Sequence, residues 1–451
     1  MLAIITDRRQ KKLFIAFFHF LWLLFLTSLI FSFRAITSIS IMAILITGIF
    51  RSKSLPAIFE KKSMNLFLTG CLLFFLLQVS SLLYTDDLQQ GLKNIRIKTG
   101  MLITPLAICL SSWLYMDSRK KLLLHYCLIL VIATLYCLFN AFFNFLETGN
   151  ISPFFYHTLA GPINQHAVYF SLLVAIALIF LLEDMAKKDL SFAQSWYACL
   201  VIYLSVFLFL LSSKLVIAFY LCYLVYYFST RWKKERLARG VMVAIAILCM
   251  AIASLALTVR NPVSARFYEI IETDIQVIRQ DKFDPGDYFN GLQFRLLQWR
   301  FVGEILSEKN SWLTGVAPGD AQTELNNKYI SKNMYTGDPA RDDRGYLIYN
   351  THNQFLETLL QNGIIGLVVL LIICYSLALM IRQSTSRMAN IITLLLMIWL
   401  FSESVFETQY GIVIFTFFPL FAYTVENNDY NKANPSYTTT MKEKFIQQTG
   451  S

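Results

Sequence analysis

Three basic residues stand where an otherwise apolar chain turns polar: His352, Arg295 and Lys214. His352 closes a long hydrophilic stretch and opens the run His352-Asn353-Gln354, which leads into another apolar segment. Thr351-x-x-Gln354 fits a capping box, with Thr351 as N-cap and His352 as the first helical residue. At the positive end of a helix dipole an imidazole is kept neutral, as a general base requires, and open backbone N–H groups suit an anion such as a diphosphate. The competing reading is an ordinary interfacial histidine in front of a helix.

Arg295 and Trp299 are four apart in Gly291-Leu292-Gln293-Phe294-Arg295-Leu296-Leu297-Gln298-Trp299-Arg300, so on a helix they share a face. A guanidinium fork matches phosphate, and an indole offers a plate for a sugar ring or an isoprenoid; a solvated amphipathic helix would read the same way. Lys214 follows Ser212 and Ser213 at the end of an apolar run, where an ammonium must snorkel or meet an anion. Residues 312–320 read as a tight turn around Gly315 and Gly319. No Gly-Lys-Ser/Thr follows, so it is not a Walker loop. Asp320 is read as capping the next helix, with contact to an acceptor hydroxyl as the alternative. Arg341, Asp342, Asp343 and Arg344 read as a solvated run, or as a flap over the site. Gly363 and Gly366 are spaced for close helix packing, the preferred reading, or for a kink.

The elements that must position these residues are set by composition. The chain has 451 residues, of which 56% are hydrophobic and 15% charged, against about 25% charged in soluble domains. It is therefore expected to be an all-α integral membrane protein. The net charge of +10 lies in short clusters between apolar runs, which argues for membrane orientation and against nucleic-acid binding. All eight cysteines lie in apolar runs and no C-x-x-C occurs, so neither a disulfide framework nor a zinc site is indicated. No Asp/Glu/His cluster has metal spacing, and the reading needs no metal and no cofactor.

Twelve spans are expected, at 13–31, 36–50, 64–83, 101–116, 122–146, 166–182, 196–211, 215–228, 241–258, 363–381, 391–401 and 411–425. With both termini cytoplasmic, 23 of the 39 lysines and arginines fall on the inside, five in short outside segments and 11 in the long loop, which is exempt from the rule. Residues 1–258 thus hold nine spans, 259–351 a mainly helical periplasmic loop, 352–425 three spans, and 426–451 a disordered cytoplasmic tail. Ionisable residues are scarce inside the spans, which counts against a flippase or other transporter. His19 and His125 have no evident partner. Polar groups gather instead on the outer face: Lys93, Arg96, Lys98, His157, His166, Lys214, Glu403, Glu407 and the loop.

His352-Asn353, then Gly363-x-x-Gly366 at the junction of loop and helix, resembles the O-antigen ligase and polymerase superfamily of bacterial envelope glycosyltransferases. Arg295…Trp299…Gly315…Gly319 resembles that family's loop pattern, and Ser212-Ser213-Lys214 stands where the family usually has Ser-Arg and a small residue. The resemblance covers roughly residues 212–367. It implies a GT-C-like multi-span fold and a metal-free transfer of a glycan from undecaprenyl diphosphate to an acceptor hydroxyl, on lipid A-core for a ligase or on a second lipid-linked glycan for a polymerase. By the same resemblance His352 would activate the acceptor, Arg295 and Lys214 would bind the leaving diphosphate, and Asn353, Trp299, Gly315, Gly319, Gly363 and Gly366 would support them. Lysine at 214 keeps the charge of the usual arginine and loses its bidentate fork. A non-catalytic envelope scaffold would leave the arginine–histidine coincidence unexplained.

Overall fold

Long runs of leucine, isoleucine and phenylalanine can satisfy their own backbone groups in an apolar medium by forming helices. That is what a computed structural model of the chain contains. It describes residues 8–51, 61–111, 116–186, 192–231 and 274–433, and among these there is no strand, only an isolated bridge between Asp338 and Asp343. The first half comprises α1 (Arg8–Ile30), α2 (Arg34–Arg51), α3 (Lys62–Ser80), α4 (Leu88–Lys98), α5 (Gly100–Leu110), α6 (Met116–Thr148) and the short α7 (Tyr156–Ala160). There follow α8 (Ala167–Met185), α9 (Phe192–Leu210), α10 (Lys214–Arg231), α11 (Gly291–Glu308) and α12 (Ala321–Ser331), then α13 (Gln354–Gln383), α14 (Arg387–Trp399) and α15 (Gln409–Ala433).

Among the described residues five helices are long and apolar enough to cross a membrane: Leu13–Ile30, Lys62–Leu83, Arg119–Thr148, Ala167–Met185 and Gln354–Gln383. Apolar helices of 10–17 residues cover Arg34–Phe50, Trp196–Leu210, Lys214–Thr230, Arg387–Trp399 and Gln409–Thr424. The run expected at 101–116 is the 11-residue α5, with Pro105 inside it. Among the described residues helix thus occupies the expected positions, while length and composition mark five as long enough to span. The expected span at 241–258, the basic cluster at 233–239 and residues 434–451 lie outside the described residues, and α15 runs on to Ala433, into the stretch expected to be tail.

A helix that is apolar on every side has to be surrounded, and α8, 94% buried over its apolar window, is the centre of the bundle. The helices α3 and α13 pack along their length. Ser63 donates to Gln383 Oε1 at 2.7 Å at one end, and Gly70 leaves room for Ile373, whose Cγ1 would stand 2.8 Å from a Cβ there. His19 and His125 are not isolated as expected: their rings pair edge-on across α1 and α6, centroids 5.5 Å apart. Buried charge sits near helix ends. Arg119 donates to the carbonyls of Thr424 and Ser111, Tyr223 donates to Glu183, and Lys98 pairs with Glu407 at 3.1 Å.

Helices α11 and α12 form a small unit with its own core, Phe294, Leu297, Phe301, Ile305, Leu325 and Tyr329. A capping box does occur here, at Asn290-x-x-Gln293: Asn290 Oδ1 accepts from the Leu292 and Gln293 amides, and Gln293 Oε1 accepts from the Asn290 amide. Glu304 pairs with Arg300 on its own helix (2.6 Å) and ties α11 to α12 through Lys328 (2.9 Å) and Lys332 just past its end (3.3 Å). Burial acts to raise its carboxyl pKa, but the hydrogen bonds from Lys328 and Arg300 outweigh that and hold it below the ordinary value. The run at 341–344 is structural: the Asp338 and Asp343 backbones bond to each other, and Asp343 accepts from Tyr335 and the Gly345 amide.

This unit docks on the bundle through a break in α13. Gly363 has φ 61° and ψ −158°, a conformation closed to side chains, and it interrupts the helix. The 312–316 turn fills the gap. Ile364 N–H donates to Trp312 O (2.9 Å), Ile365 N–H to Leu313 O (3.3 Å), and Val316 N–H to Leu360 O (2.8 Å). Backbone meets backbone at this junction. A Cβ on Gly363 would collide with the Leu313 carbonyl, and one on Gly315 (φ 73°) with the peptide joining Gln361 and Asn362. The expected packing role for Gly363 therefore gives way to a kink that receives a loop. Gly366 is helical, and a Cβ there would collide with Asn362 Cβ. Gly363→Ala is expected to cost at least the roughly 1–3 kcal/mol of a forbidden backbone conformation, and Gly366→Ala is destabilising as well, because the buried Asn362 must shift to admit a Cβ. Apparent melting temperatures of the two detergent-purified variants, both expected below that of the unaltered protein, check this.

Candidate functional site

The start of α13 differs from the expected register, and the reason is local competition for a cap. Asn353, not Thr351, is the N-cap: its Oδ1 accepts from the amides of Phe355 (2.9 Å) and Leu356 (3.1 Å), and the helix begins at Gln354. Thr351 is taken by Glu357, which receives both its hydroxyl (2.8 Å) and its N–H (3.1 Å). His352 consequently lies outside the helix, in the left-handed region at φ 46°, with its N–H donated to Asn350 Oδ1. Two of the amides expected to be open to an anion are occupied by the Asn353 cap. The environment of the imidazole is set by a side chain from elsewhere.

That side chain is Glu403, in the connection between α14 and α15. Its Oε2 lies 3.4 Å from His352 Nδ1, and its Oε1 lies 3.6 Å from Arg295 Nη2. The carboxylate is 10% exposed, against 26% for the imidazole and 36% for the guanidinium. A histidine and an arginine 57 positions apart are thus joined through opposite oxygens of one nearly buried group that faces a partly open surface. Glu403 had been noted in the sequence only as an outer-face charge. The available signal was its position, an acid in the short polar break Ser402-Glu403-Ser404 between two apolar runs, where an ionisable group is a functional candidate by default.

The connection is pinned by the motif that carries the histidine. Asn353 Nδ2 donates to Phe401 O (3.2 Å), and Gln354 N–H donates to Leu400 O (2.8 Å). Gln354 Oε1 accepts from the Phe406 amide (2.6 Å), and the Thr351 and Ser404 hydroxyls meet at 3.3 Å. Four residues beyond Glu403, Glu407 receives Lys98, whose side chain is fully buried. The Tyr349 ring stands 5.9 Å from that of His352.

The other sequence candidates divide. Arg295 lies on α11, as the spacing predicted, and Trp299 follows one turn later with a substantially exposed ring. Gly315 and Gly319 belong to the docking loop, where a Cβ on Gly319 would collide with Thr85 and the Asp87 carbonyl. Asp320 gives no side-chain cap to α12, contrary to expectation; its carboxylate accepts from Thr85 Oγ1 and from the Asp86 and Asp87 amides. Lys214 is half-buried and opens α10, two residues after the left-handed Ser212, and α10 packs on α8 and α14. The structure brings His352 and Arg295 together at Glu403. Among the described residues no group of three or more His, Cys, Asp or Glu side chains is arranged to hold a metal ion.

Residues 199–371 match the family model Wzy_C, described as O-Antigen ligase. A comparison with curated proteins gives no match. The matched segment contains Lys214, Arg295, His352 and Gly363 and stops short of Glu403. Replacing Asn353 by Ala removes both the cap and the bond to Phe401. A loss of about 1–2 kcal/mol is expected from such a pair of contacts, read as a lowered unfolding midpoint in detergent.

Proposed function

We propose, from the match of residues 199–371 to the O-antigen ligase family model, that the chain is a glycosyltransferase of the O-antigen ligase and polymerase superfamily, of the ligase type. It would take a glycan from undecaprenyl diphosphate and join it to an acceptor hydroxyl on lipid A-core, at the outer face of the bacterial inner membrane. The family is enzymatic, and the apolar helices fit a multi-pass membrane protein. The twelve-span GT-C-like topology, with both ends cytoplasmic and the α11–α12 unit periplasmic, is part of the proposal.

The observation that carries it is the meeting of His352 and Arg295 at Glu403. A base and a cation close together match a displacement at an anomeric carbon. His352 takes the proton of the acceptor hydroxyl as that oxygen bonds to the sugar's anomeric carbon. The bond from that carbon to the diphosphate oxygen breaks, and undecaprenyl diphosphate leaves carrying the electron pair. Arg295 stabilises the charge developing on the diphosphate, and Lys214 adds a second positive charge in the same role. Because the leaving group is already a stable anion, the reaction needs little acid help and no metal. A positioned base contributes about 10²–10⁴-fold, and cationic stabilisation of the phosphate oxygens supplies more. Trp299 offers its exposed indole to the sugar or the isoprenoid. A transporter would instead be expected to hold charge at mid-span, whereas Arg119, Glu183 and Lys98 lie near helix ends and are partnered.

His352→Ala is expected to abolish transfer from lipid-linked donor to lipid A-core in a purified assay, with normal insertion and accumulation; full activity removes the histidine from the mechanism. Arg295→Ala is expected to lose far more activity than Arg295→Lys, and parity of both with wild type makes Arg295 a surface residue. Deleting the gene separates the two members of the superfamily. Long lipid-linked chains with a bare core mean a ligase, and single repeats on the core mean a polymerase.

A further inference from the structure

We propose that Glu403 is a positioning residue that couples donor binding to the base: one oxygen holds the His352 imidazole through Nδ1–H, and the other holds Arg295 until a diphosphate takes it. The inference rests on the reading of His352 as base and Arg295 as diphosphate ligand, and it adds a residue outside the family match.

The geometry assigns the two jobs to different atoms. His352 Nδ1 faces Oε2 and Arg295 Nη2 faces Oε1, so both partners are served by one rotamer. A carboxylate at Nδ1 keeps the ring proton there and leaves the Nε2 lone pair for the acceptor hydroxyl. Both separations, 3.4 and 3.6 Å, are long for charge-assisted bonds, as is common before substrate tightens a site. The backbone of Glu403 is held by the bonds from Asn353, Gln354 and Thr351 to the surrounding connection, so the carboxylate is the fixed member and the more exposed guanidinium the movable one.

Charge balance gives the sequence of events. Before donor binds, Glu403 is neutralised by Arg295. When the donor's diphosphate draws the guanidinium away, the nearly buried carboxylate needs another cation, because an unpaired buried charge is strongly unfavourable. The imidazolium created by proton abstraction is that cation. Proton transfer to His352 is therefore favoured once donor occupies Arg295, which ties activation of the acceptor to the presence of something to attack. After undecaprenyl diphosphate departs, His352 releases the proton to solvent and Arg295 returns.

The test uses the full-length enzyme in detergent, with lipid-linked glycan and lipid A-core, and four variants: Glu403→Gln, Glu403→Asp, His352→Ala and the double variant His352→Ala/Glu403→Gln. Glu403→Gln is expected to lower turnover on the order of 10²–10⁴-fold, and to add no further loss in the His352→Ala background, since residues acting as a unit are not additive. Wild-type turnover in Glu403→Gln overturns the proposal. So does a loss that multiplies with that of His352→Ala, which would mean that Glu403 acts elsewhere. If Glu403→Gln does not accumulate, Glu403→Asp decides: it keeps the charge, shortens the reach and is expected to lose about tenfold or more in kcat, and unchanged kcat overturns the proposal. An active His352→Ala enzyme instead defeats the base reading itself, whereas an inactive one beside fully active Glu403→Gln defeats this inference alone.

Discussion

At Asn353 both ends of one amide are used, and the arrangement of the site depends on it. The oxygen closes the first turn of α13, and the nitrogen holds the carbonyl of Phe401 in another connection. A cap is worth about 1 kcal/mol to its helix. Here the larger consequence is positional, because the same side chain sets where one helix begins and where the connection between two others lies. Gln354 doubles the tie with its own N–H and its Oε1. His352 and Glu403 then face one another because each adjoins a residue in this short ladder. Neither needs a specific contact of its own to arrive there.

The ladder is one side of a closed circuit. The docking loop grips the start of α4: Asp320 accepts from Thr85 and two amides of the Thr85–Asp87 turn, and Asn94 donates to Pro318 O. The far end of α4 carries Lys98, which pairs with Glu407 just past Glu403. Glu403 reaches back to Arg295 on α11, the helix that leads into the docking loop. Gly363 completes the circuit from below, since only its left-handed backbone lets the 312–316 turn replace helical hydrogen bonds in α13. A displacement anywhere along this path is felt at the imidazole, which fits a site whose chemistry is sensitive to distances of about an ångström.

The helices were legible because length and hydropathy act over many residues, and errors at single positions average out. Helix α11 was legible for a further reason: Asn290-x-x-Gln293 was available as a start signal, although the capping box was sought at Thr351 instead. There the rule met two adjacent candidates. Threonine and asparagine both cap well, and the choice fell to Glu357, six residues on in the chain, which binds the Thr351 hydroxyl. For Gly363 packing was preferred over a kink and the structure shows the kink, since spacing alone does not say whether a missing side chain receives a helix or a loop. Arg295 and His352 were recognisable as a pattern. Glu403 was not, because an acid's role is defined by the partners that tertiary structure gives it.

The ion pairs around the site differ in a way that sorts structure from chemistry. Lys98 and Glu407 stand at 3.1 Å, with the lysine fully buried; opening such a pair strands a charge and costs roughly 3–5 kcal/mol, so it behaves as a fixed joint. Arg295 and Glu403 stand at 3.6 Å, with the guanidinium a third exposed. Water screens that interaction, and separating it costs far less. On the proposed reading, a diphosphate, which carries more charge than one carboxylate and matches the guanidinium fork, would win Arg295 without disturbing the joint next to it. The asymmetry places the more loosely held cation beside the histidine and the fixed one four residues along the connection, where it anchors the backbone that carries the carboxylate.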